Sequence, residues 1–87
     1  KPLTEEMVAE FALAAREKLD TTWGIAELGA AGPAGTPYGH DAGISVVAIS
    51  GPCSITSTTR TGEDDRPSNM LAFTEAGLLL FRRALQS

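Results

Sequence analysis

The stretch Gly29-Ala30-Ala31-Gly32-Pro33-Ala34-Gly35-Thr36-Pro37-Tyr38-Gly39-His40-Asp41-Ala42-Gly43 decides how the rest of this chain is read. It separates two apolar runs, Trp23-Gly24-Ile25-Ala26-Glu27-Leu28 and Ile44-Ser45-Val46-Val47-Ala48-Ile49, whose lengths and flanking turn residues suit strands. Glycine admits positive φ and lets a ligand approach peptide N–H groups closely. A loop this long between buried strands is more often a working surface than a connection, although composition alone also allows a plain Gly/Pro-rich linker.

Working outward, Ile44 to Ile49 is nearly continuous in β-branched and small apolar residues, as in a strand covered on both faces. Glu27 interrupts the first run. It lies on a solvated face or points into a site at the strand end, and the general exposure of lone carboxylates favours the first. Gly51-Pro52 marks a turn, and Cys53 to Thr61 reads as a mostly polar strand with a wet face or at a sheet edge. The short turn makes this pair an antiparallel hairpin.

Upstream, Met7, Val8, Phe11, Ala15 and Leu19 form one apolar stripe, predicting an amphipathic helix from Thr4 to Leu19. Thr4 suits the N-cap, Glu5 and Glu6 suit the positive end of the helix dipole, and Asp20-Thr21-Thr22 ends the helix. Downstream, Gly62 to Pro67 is a polar loop into a second helix, with Asp65 or Asp64 as cap and Pro67 in the first turn. Met70, Leu71, Phe73, Leu78, Leu79, Leu80, Phe81, Ala84 and Leu85 make that helix apolar on most sides. Such a helix is buried on more than one face, and three short strands cover only part of it.

The reading is a small layered α/β domain spanning residues 1–87, in the order helix, strand, strand, strand, helix. A net charge of −4 with scattered basic residues argues against a nucleic-acid groove. No apolar run approaches the ~18 residues that span a bilayer, and no secretory signal pattern is present. Cys53 and His40 are the only residues of their types, too few for a zinc site within the chain, so no metal is expected. Cys53 is expected as a buried reduced thiol without chemistry.

Gly29-Ala30-Ala31-Gly32-Pro33-Ala34-Gly35-Thr36 followed by Gly43-Ile44-Ser45-Val46 resembles the C-terminal, nicotinamide mononucleotide deamidase domain family of competence/damage-inducible protein CinA. That family reads roughly T-G-I-A-G-P-x-G-G, a polar insert, then G-T-V. Leu3-Thr4-Glu5-Glu6-Met7-Val8-Ala9 looks like its V-S-E-E-V-A, Gly62-Glu63-Asp64-Asp65-Arg66 like its G-D-R, and Glu75-Ala76-Gly77-Leu78 like its E-A-A-L. The resemblance covers nearly the whole chain but only the second half of that domain. The family's E-S-C-T-G-G segment, with its proposed nucleophilic serine, has no counterpart among these residues.

The resemblance therefore implies half of a larger three-layer α/β domain, completed by a second polypeptide that supplies the first half. The start at Lys1-Pro2, inside a family loop and without methionine, fits cleavage of a longer precursor. The implied binding set is Gly29, Gly32, Pro33, Gly35, Thr36 and Arg66, with loop N–H groups and a guanidinium holding a phosphate-bearing nucleotide. No catalytic residue, cofactor or metal is implied for this chain. Leu28 stands where the family has threonine, Met70 where a basic residue is common, and Ala42 and His40 lie in the insert, His40 where lysine is frequent. His40 stands in for that cation or is a solvated loop histidine.

Three functions follow. The chain is a non-catalytic binding, defence or storage member of a two-chain assembly, or a subunit of an amidohydrolase whose serine lies on the partner. The third is an isolated α/β domain with an accidental loop likeness. The absent serine and the leucine at 28 favour the first; the glycine loop and Arg66 favour the second.

Overall fold

A computed structural model describes residues 3–35 and 41–87. Helix α1 (Glu5–Leu19) is followed by strands β1 (Gly24–Ala30), β2 (Ile44–Ser50) and β3 (Ile55–Arg60), and helix α2 (Arg66–Gln86) closes the order. The strands form one antiparallel sheet in the order β1-β2-β3. The helices lie on opposite faces of this sheet, so the fold is α/β in the expected order. Gly29 and Ala30, read as loop, instead extend β1 because they pair with Ser45 and Ile44.

Thr4 caps α1 by accepting from the Met7 N–H at 3.1 Å. Asp20 stops it in the left-handed region, at φ 52°. One core lies between α1 and the sheet, where Val8 and Ala12 meet Ala30, Ile44, Val46 and Ala48. Small residues matter here: a Cβ on Gly24 would run into the Ala12 carbonyl, so glycine lets β1 lie against the helix backbone. The expected α1 stripe is narrower than periodicity implies, since Phe11 and Leu19 are exposed and Ala12 is buried instead.

The second core joins Val47 and Ile49 of β2 to Leu80 and Ala84 of α2. Every residue of β2 is buried, matching its apolar composition. β3 is shorter than read, and Cys53 precedes it as a half-buried thiol rather than a buried one, because the turn holds it outside the ladder. Trp23 packs edge-to-face on Phe81, with ring centroids 5.6 Å apart. Of the four consecutive large residues on α2, only Leu80 is buried; Phe81 is half-buried, while Leu78 and Leu79 are 66% and 60% exposed. Among the described residues, no helix is long and apolar enough to cross a membrane.

Candidate functional site

The end of β1, the start of α2 and the glycine loop converge at one end of the sheet. Asp65 caps α2, its carboxylate accepting from the Ser68 N–H at 3.1 Å, and Pro67 occupies the first turn. The Ser68 hydroxyl and then its N–H hold the Asp65 carboxyl below the usual carboxylate range. Gly32 lies directly against the segment entering this helix. Its φ is +106°, and a Cβ there would strike the Asp64 carbonyl oxygen. Glycine is therefore required at 32 on both counts.

Asn69 stitches these pieces together. It is 1% exposed, and its amide N–H groups donate to the carbonyls of Ala31 (2.8 Å) and Glu63 (3.0 Å). Its carbonyl accepts from the Thr61 hydroxyl at 2.6 Å. One turn-length away, the Arg66 guanidinium donates to the Gly32 carbonyl at 3.3 Å, which turns the cation toward the loop. The N–H groups of Gly32, Ala34 and Gly35 have no acceptor among the described residues.

A cavity of about 420 Å³ lies here, lined by Glu27, Gly29 and Ala30 of β1, by residues 31–35 of the loop, and by Arg66, Met70 and Phe73 of α2. Gly29, Gly32, Pro33, Gly35 and Arg66 of the expected set are thus brought together. Thr36 and His40 lie outside the described residues. Leu28 does not line the cavity, since strand alternation turns it to the sheet face opposite Glu27 and Gly29. Met70, at the position of the missing basic residue, does line it. A second cavity, about 520 Å³, lies beyond the loop between Pro33, Asp41 and Glu63-Asp64. Its described walls carry three carboxylates and no cation, so an anion is disfavoured there.

The expected set leaves out Asn69, which orders the loop, and Glu27, Met70 and Phe73, which line the cavity. Asn69 left one usable signal: it shares the stripe of Phe73, Leu80 and Ala84, and a polar residue on a buried helix face needs partners. Glu27 is solvent-exposed, as favoured, yet its carboxylate borders the cavity and accepts from Ser45 at 2.6 Å.

The fold and site define a small three-layer α/β unit with an arginine- and glycine-lined cleft at one end of its sheet. The chain belongs to the CinA C-terminal domain family, whose model matches residues 2–85. It is similar to a solved competence-damaged protein (CinA) superfamily protein of Escherichia coli, with 32% identity and a TM-score of 0.70 over 87% of this chain and 46% of that one. A superfamily protein of Enterobacter cloacae is similar at 28% identity and a TM-score of 0.64, over 88% of this chain and 48% of the other. The chain spans about half the length of these relatives. A comparison with curated proteins finds no match.

Proposed function

We propose that this chain is the ligand-cradling half of a CinA-type domain, binding a phosphate-bearing nucleotide without catalytic groups of its own. The observation that carries this reading is the Arg66 guanidinium on the Gly32 carbonyl. It sets a permanent cation on the same cavity as Gly32, Ala34 and Gly35, whose N–H groups have no acceptor among the described residues, a set of groups suited to phosphate oxygens. A second α/β segment completes the domain. Support for it comes from the stripe Met70, Leu78 and Leu85, which runs from the cleft along α2 and is exposed throughout. A segment covering that stripe also walls the cleft.

Calorimetry on the native protein tests the binding claim. Nicotinamide mononucleotide should bind at least about tenfold more tightly than nicotinamide riboside, which lacks the phosphate, and Arg66→Leu should erase that difference. Equal affinity for the two ligands would contradict the reading. The catalytic alternative places a nucleophile on the completing segment, and one feature favours it: loop N–H groups with no acceptor among the described residues suit a developing oxyanion as well as a phosphate. Release of ammonia from the bound mononucleotide would select it; binding without release selects the non-catalytic form.

A further inference from the structure

We infer that β3 is a self-association edge, pairing antiparallel with β3 of a second copy of this chain so that the two sheets run on as one. The strand is last in its sheet, and its outer side has no partner among the described residues. Backbone parity fixes what that side offers. The Thr61 N–H donates to the Gly43 carbonyl at 2.8 Å, so Thr59, Ser57 and Ile55 bond to β2 in turn. Thr56, Thr58 and Arg60 then point their N–H and C=O groups outward. Exposed edges usually carry a proline, a bulge or an inward charge against such pairing. From Ile55 to Thr59 this strand has none of them, and its ladder with β2 is unbroken.

Charge selects a copy of the same strand as the occupant. In the antiparallel register centred on Thr58, that residue meets its own copy and Arg60 lies opposite the partner's Thr56. The Thr56 and Thr58 hydroxyls donate to the Glu5 carboxylate at 2.8 and 2.7 Å. Thr56, Thr58 and Arg60 alternate onto one sheet face, so each Arg60 comes beside the partner's Glu5. The two-fold axis repeats that pair at the other end and closes the assembly. Arg60 makes no ion pair or hydrogen bond with the described residues, so its guanidinium is available.

The opposite face supplies the apolar part. Because α2 packs on β2 and β3, pairing at β3 sets the two α2 helices two strand spacings apart. That is about 10 Å, an ordinary distance between packed helices. The flank of α2 turned to the gap carries Leu79, which is 60% exposed and lines a hollow with Ser57 of β3 and Ala76. The partner's helix covers it. The stripe of Met70, Leu78 and Leu85 lies on the other flank, toward the cleft and β1, so this contact is independent of the completing segment and of the cleft's ligand.

Sedimentation velocity and residue-resolved amide exchange of the native protein, over a concentration series, test this. At high concentration the protein should sediment as two copies of its smallest unit. The Thr56, Thr58 and Arg60 amides should then exchange at least about tenfold more slowly than at high dilution. Arg60→Glu should weaken the association at least about tenfold, since two attractive pairs become repulsive, while the Ser57 and Thr59 amides stay protected and verify folding. Adding Glu5→Arg to it should restore the association. Thr58→Pro removes an outward N–H without touching the ladder to β2 and should also separate the copies. A protein that remains at its smallest unit, or whose association survives both Arg60→Glu and Thr58→Pro, overturns the inference. Slow outward amides in the smallest unit would give the edge to a different chain and overturn self-pairing equally.

Discussion

Asn69 ties the start of α2 to the loop just before it and to Ala31, 38 residues away, and its removal should cost more than any other single truncation around the cleft. Asn69→Ala leaves the Ala31 and Glu63 carbonyls and the Thr61 hydroxyl without their partner. With buried unpaired groups costing roughly 1–3 kcal/mol each, and the outer ones regaining water, the loss should be about 3 kcal/mol. Urea denaturation measures it, and Asn69→Asp should be no better, because a carboxylate cannot donate to two carbonyls. Gly32→Ala should destabilise by more than about 1 kcal/mol from its positive φ alone. It should also displace the loop from Asp64 and weaken phosphate binding at Arg66. A G32A protein with unaltered stability would refute the close packing of Gly32 on Asp64. The nearness of Gly32 and Arg66, whose guanidinium does reach the Gly32 carbonyl, was legible through the family resemblance. Asn69 was not, because its partners lie up to 38 residues away and only the folded loop brings them in reach.

At the scale of elements, the two helices are each fastened at the N-terminus by a carboxylate. Glu5 of α1 accepts from Thr58 at 2.7 Å and from Thr56 at 2.8 Å, two residues on one face of β3. These bonds, Thr58's first, hold its carboxyl below the usual range, with partial burial opposing them. Asp65 is held down in the same direction by Ser68. For a depressed carboxylate the stabilisation is present above the unfolded pKa and is lost as pH falls through the folded one. Unfolding midpoints should therefore be level through neutral pH and fall below about pH 4. Replacing Thr56 and Thr58 together by valine should shrink that acid loss, as followed by circular dichroism; an unchanged acid profile would contradict the Glu5 contacts. The elements themselves were readable: caps at Thr4 and Asp65 and the β-branched run of β2 state local geometry. The pairing of Glu27 with Ser45 was hidden, because it depends on strand register, and the 13 residues between Ala30 and Ile44 do not determine register. The stripe of α1 misled for a related reason. Periodicity marks a face, but the close approach at Gly24 selects Ala12 for burial over the larger Phe11.

Across the whole molecule, exposed apolar residues run along more than one side of α2: Met70, Leu78 and Leu85 share a stripe that starts at the cleft, while Leu79 lies on the flank toward Ser57 of β3. Leu71, Leu78, Leu79 and Leu85 are exposed, and each would contribute roughly 1.5–3 kcal/mol on full burial. That sum rivals the ~5–15 kcal/mol net stability of an ordinary domain. Ile25, also exposed, sits on the β1 face that α2 leaves open, since α2 packs on β2 and β3. The proposed completing segment, laid over the stripe that starts at the cleft, would bury Leu78 and Leu85 and wall the cleft. Hydroxyl-radical footprinting of the native protein, with and without nicotinamide mononucleotide, tests the central claim most directly. Leu78 and Leu85 should be shielded in both states, and Met70, on the cleft wall, should become shielded when the ligand is added. Oxidation of all three at the rate of open side chains, unchanged by the ligand, would contradict the account.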